Sequence, residues 1–322
     1  MKKILVFLCC LLFANMARSA TLINDTEIER GITEIIMPVA QAANISADRL
    51  KIYIVRDDDF NAFVRGGEDI FIYTGLLKQI KTPNALRAVV AHELGHTIGG
   101  HIVQMADRQR AEMMRTLIIQ ALGVGLMVAG GNPTAGMGVL AGSTGIAQQS
   151  MLSFSRDEER IADDFAVDLM VDANQDPNGL IQVFEQIRDI SGAFETRVNP
   201  NRINHPLTSE RLNNTKTKIK NLKKIPTKSS GQIAKENADY ETLRAKLIGY
   251  LDNYKNVLTL YPYSNKSDAA IYARAIANMR TGNLDIAKTG TQTLITRHPN
   301  TPYFYELLGD IEFQYGQNLL IT

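Results

Sequence analysis

The apolar residues between positions 28 and 39 recur every three or four residues, which is the period of a helix with one buried face. They are Ile28, Ile32, Ile35, Ile36 and Val39. Asn24 or Asp25 offers a side chain that can cap the first turn. We therefore predict a helix from this point to about Ala43.

Alternating apolar and polar residues predict strands in the next part of the chain. Residues 50–55 and 70–73 show the alternation, and Gly66-Gly67 between them indicates a turn. Three acidic residues, 57–59, separate the first strand from the short segment 61–63. This region is therefore predicted to form a small sheet.

Two longer helices are indicated by the residues at their starts and ends. Thr82 offers a capping hydroxyl and Pro83 suits the first helical position, and this helix is predicted to extend through Met105. Ser155 begins another helix, which the turn residues at 174–177 end. Helix exceeds strand, so we predict an α+β domain that is mainly α.

The last part of the chain repeats itself with a period of 34 residues. Gly282 and Gly316 are separated by this interval, as are Ala275 and Gly309. It is the period of the tetratricopeptide helix-turn-helix repeat, although the second unit stops about thirteen residues before it is complete. We therefore predict an all-α tetratricopeptide-like domain over 236–322.

The segment 216–235 separates the two predicted domains. It is rich in lysine and serine and has little apolar periodicity, which predicts a solvated linker after a domain at 21–215. A basic patch for nucleic acid or lipid is the alternative interpretation of the same lysines.

Residues 1–20 have the pattern of a cleaved signal peptide. Lys2 and Lys3 precede an apolar run at 4–13, and small residues follow at 17–20. The run is too short for a stable bilayer span, although a retained N-terminal anchor is the alternative. The sequence therefore predicts a secreted protein.

Loss of that segment changes the composition. Cys9 and Cys10 leave with it, so the mature chain is predicted to have no disulfide. Three of the 35 basic residues leave too, and the remaining 32 face 34 acidic residues. A net charge of −2 provides no general attraction to nucleic acid. The 45% of hydrophobic residues is ordinary for a protein with a buried core.

Residues 117–145 are rich in glycine, and their first half is apolar and uncharged. We favour a helical hairpin packed on the domain, because the apolar run is shorter than a span and glycine weakens an isolated helix. Peripheral contact with a membrane through this segment is the alternative.

His92-Glu93-Leu94-Gly95-His96 is an H-E-x-x-H segment inside a predicted helix. Four residues complete about one turn, so both imidazoles project toward one ion. Zinc accepts such ligands, and Glu93 lies beside them to take a proton from the attacking water. With five histidines in the chain, a chance match is on the order of one in a hundred. We predict one zinc ion per chain.

The third ligand is predicted on the helix that begins after Ser155. Glu159 would bind zinc, and Asp163, four residues later, would accept a hydrogen bond from a ligating histidine. The small Ala162 between them permits close helix contact. A solvated face is the alternative for this acid-rich helix, and it is our interpretation of Glu158.

His101 is the other histidine near the motif. A known zinc pattern would place its third histidine at position 102, which is Ile102. On a continuous helix, His101 would lie about half a turn away from His92. We therefore interpret His101 as a structural or surface residue.

Four segments together resemble the HtpX-like gluzincin peptidases, and most of all the periplasmic BepA-type branch that carries tetratricopeptide repeats. The resemblance covers about Ile28 to the end of the chain. The segments are Asn61-Ala62-Phe63 with Gly66-Gly67, His92 to His96, Ser155 through Asp163, and His205-Pro206 with Arg211.

This resemblance implies a zincin-type metalloprotease domain with a small sheet and further site residues. Asn61, Ala62 and Phe63 would form the edge strand that pairs with an extended substrate. His205 would occupy the open zinc position and hold the enzyme latent, with a loop residue near the cleft as the alternative. Arg211 would orient the oxyanion.

The implied function is a zinc endopeptidase in the periplasm of a Gram-negative bacterium. Its substrates would be unfolded or misassembled outer-membrane proteins, and its repeats would bind the outer-membrane assembly machinery. A chaperone or assembly factor that docks through its repeats, with proteolysis secondary, is the alternative. A membrane-integral prenyl-protein protease would need several apolar spans, which this sequence lacks.

Overall fold

The computed structural model describes residues 21–108, 110–111, 113–114, 117–118, 154–193, 205 and 207–321. A helical stretch, 101–108, lies between the third and fourth helices named below. The elements are β1 (Thr21–Ile23), α1 (Thr26–Ala42), β2 (Lys51–Arg56), β3 (Ala62–Arg65), β4 (Asp69–Tyr73), α2 (Thr74–Gln79), α3 (Pro83–Ile98), α4 (Arg156–Asp172), α5 (Asn178–Ala193), α6 (Ser209–Lys220), α7 (Ser230–Leu251), α8 (Tyr254–Leu260), α9 (Asp268–Arg280), α10 (Leu284–Arg297) and α11 (Pro302–Ile321).

The strands form one sheet in the order β1-β2-β4-β3, so β3 lies at an edge. The β2–β4 pair is parallel, and the other two pairs are antiparallel. Side chains alternate between the faces of a strand. Ala62 and Val64 of β3 are buried on the helix side, as are Ile70 and Ile72 of β4. The sheet therefore covers one side of the helical core.

Helix α1 forms as its apolar spacing predicts. The Asp25 side chain accepts a hydrogen bond from the Ile28 backbone N–H at 3.0 Å, which caps the first turn. Four of the five spaced apolar residues are buried and Ile35 is half-buried. The buried members of this face are Ile28, Ile32, Ile36 and Val39.

Helix α3 lies at the centre of the core. The Thr82 hydroxyl accepts a hydrogen bond from the Ala85 N–H at 3.1 Å, and Pro83 occupies the first turn, as predicted. Almost the whole helix is buried, from Pro83 to His96. Such a helix has apolar residues all round and shows little one-sided periodicity.

The predicted extension of α3 through Met105 is wrong. The helix ends at Ile98, and Gly100 has a φ of +70°, a left-handed conformation that glycine adopts without steric penalty. The chain turns there and begins the helical stretch 101–108. Apolar residues continue past the turn, so the hydrophobic pattern alone did not reveal the end of the helix.

Much of the predicted linker 216–235 has regular structure. Helix α6 extends to Lys220, and α7 begins at Ser230 with a capping box formed by Ser229 and Gln232. Ile219 is buried in the core. The segment 216–235 has too few buried apolar residues to show a helical period, which is why its composition resembled that of a linker. The domain boundary stays a prediction.

Two predicted segments fall mainly outside the described residues. The predicted signal peptide at 1–20 lies entirely outside the described residues. Of the glycine-rich segment 117–145, only positions 117 and 118 are described. Both assignments therefore stay predictions. Within the part of the chain that the structure describes, no helix is long and apolar enough to cross a membrane.

A buried ion cluster joins the start of α1 to the C-terminal helices. Lys246 of α7 lies 2.8 Å from Asp25 Oδ2 and 2.9 Å from Glu27 Oε2. The Tyr272 hydroxyl of α9 donates to Glu27 at 2.8 Å. Burial raises the pKa of Glu27, although Lys246 opposes this. The cluster therefore ties the C-terminal helices α7 and α9 to the first helix through charges that have little access to water.

Lys246→Met should reduce the free energy of unfolding by about 3–5 kcal/mol, because it leaves Glu27 and Asp25 without their partner. Urea unfolding measures the change. Adding Glu27→Gln to that variant should recover part of the loss. Lys235→Met, which removes an exposed pair with Asp239 on the same helix, is the control and should change little. Equal losses in Lys246→Met and Lys235→Met would contradict this role for the cluster.

Candidate metal centre and active site

Four side chains that can bind a metal converge beside the middle of α3. They are contributed by α3, by α4 and by His205, which lies four positions before the start of α6. One ligand atom from each lies within 4.8 Å of the others. The four residues are His92, His96, Glu159 and His205. The structure thus brings together the three predicted ligands and the predicted latch.

The distances between these atoms fit a tetrahedral zinc ion. His92 Nε2 lies 3.2 Å from His96 Nε2, 3.3 Å from His205 Nδ1 and 3.3 Å from Glu159 Oε2. Zinc binds such ligands at about 2.0–2.2 Å, which places neighbouring ligand atoms roughly 3.3–3.5 Å apart in a tetrahedron. Glu159 Oε1 lies closer to His205 Nδ1, at 2.7 Å. The donor set and its spacing therefore suit zinc.

Close contact between α3 and α4 positions the ligands. A Cβ atom at Gly95 would lie 2.7 Å from the Ala162 backbone oxygen, so a larger residue would push the helices apart. Ala162 itself is buried, in agreement with the predicted close approach. The contact places Glu159, near the start of α4, over the histidines of α3.

Glu93 is placed to exchange protons at this centre. It is buried between the ligands, and its Oε1 lies 3.4 Å from His205 Nε2. Burial raises the pKa of Glu93, because the charged form loses its hydration. A raised pKa brings a carboxylate closer to the working range of a general base and acid at neutral pH.

Asp163 and Arg211 support the ligands from behind. The Nδ1 atom of His92 lies 3.0 Å from Asp163 Oδ1. Arg211 donates from Nε and Nη2 to Asp163, both at 2.8 Å. Its Nη1 lies 2.8 Å from Glu159 Oε2. Arg211 therefore contacts two carboxylates of the centre, and its oxyanion role stays a prediction.

The charges of the centre depend on one another. Burial disfavours the charged form of His92, but the carboxylates of Asp163 and Glu159 raise its pKa to about 9. Burial alone would raise the pKa of Glu159, yet contacts with His205 and His92 hold it well below its usual value. A metal ion at this site would therefore compete with a proton for His92.

His101 lies against the centre and does not face away from it. Its Nδ1 atom is 3.0 Å from His96 Nδ1, and the side chain is buried. The expected half-turn separation from His92 assumed a continuous helix, whereas the turn at Gly100 redirects the chain. Burial lowers the pKa of His101, so its neutral ring can accept a hydrogen bond from His96 Nδ1. The ligating Nε2 of His96 then faces the metal position.

Glu158 is buried, and its predicted solvated position is wrong. Arg108 binds both of its carboxylate oxygens, at 2.8 and 3.2 Å. Glu158 also accepts a hydrogen bond from the Ser155 backbone N–H at 2.8 Å, which completes a capping box. The S-x-x-E spacing at 155–158 was a local signal that could have indicated this role.

Phe154 is a residue of the centre that the sequence analysis missed. Its ring stacks on His96 at a centroid distance of 3.8 Å and on His205 at 5.4 Å. Only its place directly before the capping Ser155 hinted at proximity to Glu159. The ring packs His205 against the ligands of α3.

A small apolar cavity lies between the centre, the edge strand β3 and helix α5. Its volume is about 50 Å³. Asn61 and Ala62 line one side, and Glu93 lines another. The α5 residues that line it are Leu180, Val183, Phe184 and Ile187. The predicted substrate segment therefore borders the same space as the predicted catalytic carboxylate.

We expect His101→Ala to weaken zinc retention about 10- to 100-fold, because His96 loses the acceptor that orients its ring. Competition of the zinc-loaded chain with a chromogenic chelator measures this directly. His101→Gln retains an acceptor and should recover part of the affinity. His298→Ala, which alters an exposed histidine directly after α10, should have no effect. Unchanged affinity in His101→Ala would exclude a supporting role for this contact.

Comparison with known proteins agrees with this site. Residues 26–219 match the model of peptidase family M48. The chain is 26% identical over 308 residues to the beta-barrel assembly-enhancing protease of Escherichia coli K12, covering 93% of this chain and 61% of that protein. The protein of the same name from Yersinia pestis is also 26% identical, over 94% of this chain and 61% of its own length.

A third relative extends the comparison to a protease of another name. Metalloprotease LoiP of Escherichia coli K12 is 27% identical over 61% of this chain and 72% of its own length. The chain spans about three fifths of the length of the assembly-enhancing relatives. The matched region contains the candidate ligands, the predicted catalytic residue Glu93 and the residues that contact them. The chain therefore belongs to peptidase family M48.

Proposed function

We propose that the protein is a zinc-dependent endopeptidase that hydrolyses misfolded or misassembled proteins and is held latent by His205. The observation that carries the proposal is the cluster of four ligand atoms with Glu93 beside it. Three of these ligands suffice for a hydrolytic zinc site, and the fourth accounts for latency. Membership of family M48 supports the same chemistry.

When bound, zinc would polarise the peptide carbonyl and make a water molecule more acidic. Glu93 would take the proton of the attacking water and later return it to the leaving amine. Asp163 would hold the tautomer of His92, and Arg211 would hold both Asp163 and Glu159 in place. The buried residues around Glu93 would exclude bulk water from the reaction.

The substrate would enter as an extended strand along β3. This strand is at the edge of the sheet and borders the cavity that contains Glu93. An edge strand offers backbone hydrogen bonds to an added strand, whatever its side chains. Asn61, Ala62 and Phe63 would therefore select chains that are locally unfolded, which suits a quality-control protease.

The cellular role is proposed from the relatives. Two of them are named for enhancing the assembly of β-barrels. We therefore infer that this protein acts on misassembled outer-membrane proteins in the periplasm of a Gram-negative bacterium, after loss of residues 1–20. Its C-terminal helices would bind the outer-membrane assembly machinery.

Latency would follow from the position of His205. Its Nδ1 atom lies among the metal ligands, and its Nε2 atom lies 3.4 Å from Glu93. A fourth imidazole at zinc converts an open hydrolytic site into a closed one. One side chain would thus occupy the place of the water and contact the general base.

A scaffolding role is the second candidate. The C-terminal helices expose large apolar side chains that could contact a partner: Ile286, Tyr305 and Phe313. With His205 closed over the zinc position, the protein would bind partners through these helices and cleave them seldom. The variants below distinguish the two functions.

Glu93→Gln should reduce casein cleavage about 10²- to 10⁴-fold without loss of zinc, because it removes the proton acceptor and leaves the ligands intact. Metal analysis and proteolysis of the same preparation measure the two effects. In cells, loss of function with Glu93→Gln would indicate a protease, whereas retained function would support the scaffold. An unchanged cleavage rate would reject Glu93 as the catalytic carboxylate.

His205→Ala should increase casein cleavage roughly 5- to 100-fold, the usual range for releasing a conformational restraint. Zinc should remain bound, since three ligands are left. Combining His205→Ala with Glu93→Gln should abolish the gain, which shows that it comes from this centre. Loss of zinc without a gain in cleavage would assign His205 a structural role.

A further inference from the structure

Three aromatic rings form a stacked row across the sheet. Tyr53 of β2 stacks on Phe71 of β4, with centroids 4.7 Å apart and planes at 16°. Phe71 stacks on Phe63 of β3, again at 4.7 Å, with planes at 7°. The three side chains are half-buried. They lie on the face opposite the core, because their neighbours Ile54, Ile70, Ile72, Ala62 and Val64 point inward.

The row follows the register of the strands. Tyr53 is directly opposite Phe71, and Phe71 is directly opposite Phe63. Neighbouring strands in a sheet lie about 4.7–4.9 Å apart, which matches the spacing of the rings. Each of the three strands therefore contributes one ring, and the rings are spaced as the strands are. The row ends at Phe63 on the edge strand.

The end of the row lies next to the active site. Ala62, adjacent to Phe63 in sequence, lines the cavity that also contains Glu93. In the part of the chain that the structure describes, no strand pairs with the outer edge of β3. A strand added there would have one face toward the cavity and the other continuing the outer face of the sheet.

We propose that the substrate strand continues this row, with an aromatic side chain opposite Phe63. The inference rests on the proposed function, because it assumes that the substrate adds to β3. At the strand spacing, the ring of that residue would stack on the outer face of Phe63 as Phe63 stacks on Phe71. The preferred substrates are then extended segments with an aromatic residue at this position.

The residues on either side of that aromatic would face the cavity. A volume of about 50 Å³ is well below the roughly 150 Å³ of an apolar cavity that holds benzene. Apolar residues of α5 line it, so a small aliphatic side chain fits and a ring does not. The enzyme would therefore prefer an aromatic side chain on one face of the substrate strand and small aliphatic side chains on the other face.

Binding of fluorescent peptides to the zinc-loaded full chain with Glu93→Gln and His205→Ala tests the proposal without need for cleavage. The peptides carry one phenylalanine that is moved one residue at a time along an otherwise alanine-rich, soluble sequence. Anisotropy should show one position at which phenylalanine binds about 2- to 12-fold more tightly than alanine. At the next position the preference should vanish, since successive side chains of a strand point to opposite faces and that residue points away from Phe63. Proteolysis with the His205→Ala chain maps each peptide to its cleaved bond.

Phe63→Leu should abolish that preference, and Phe63→Tyr should retain it. Tyr53→Leu is the matched control, because it removes the ring at the far end of the same row, which a substrate at the edge of β3 does not reach. Tyr53→Leu should therefore leave the preference in place. Circular dichroism and zinc content establish that each variant is folded.

The outcomes separate this inference from the proposed function. A preference at one position that depends on Phe63, together with no cleavage of any peptide by the zinc-loaded His205→Ala chain, would support the aromatic contact and reject the protease. Cleavage with no aromatic preference at any position would support the protease and overturn this inference. A preference that survives Phe63→Leu, or that Tyr53→Leu removes equally, would also overturn it.

Discussion

The close contact between α3 and α4 is the constraint on which the centre depends. Gly95 has no side chain to separate the helices, and the Ala162 backbone lies where a Cβ atom would stand. Glu159 can therefore come within 3.3 Å of His92, although 67 positions separate them in the numbering. The distance between zinc and a ligand atom varies little. A displacement of about one ångström would therefore take the Glu159 carboxylate out of binding distance.

Electrostatics favours a bound cation at this centre. Three carboxylates are buried together at the centre, and the guanidinium of Arg211 is the cation that contacts two of them. Burial of unbalanced carboxylates is unfavourable unless protons or cations compensate. Without metal, protons on His92 and shared contacts with His205 supply part of this balance. A divalent cation would supply it directly and would organise the same side chains. The carboxylates are those of Glu93, Glu159 and Asp163.

The residues proposed for catalysis, substrate binding and latency share one small region. His205 contacts Glu159 and Glu93, and it also lines the cavity beside β3. Movement of His205 would therefore free the fourth metal position and enlarge the space for a substrate strand together. Phe154, which stacks on both His96 and His205, holds the closed arrangement. In this proposal the residue that controls activity, His205, lies at the metal centre itself. Regulation would therefore not require a signal from a distant site.

The sequence by itself determined the features whose causes are local. The caps at Asp25, Thr82 and Ser155 depend on hydrogen bonds within one turn, and their helices begin where predicted. The pairing of His92 and His96 follows from helical geometry. The edge position of β3 was anticipated only through the family resemblance, and the sheet order agrees with it.

The tertiary structure decided what depends on residues that are distant in sequence or on a single turn. His101 approaches His96 because the chain reverses at Gly100, and the burial of Glu158 depends on Arg108. The aromatic row exists because the register aligns three strands. His205 reaches the centre across 113 positions from His92. Periodicity describes which face of an element is buried, whereas these contacts depend on how separate elements pack together.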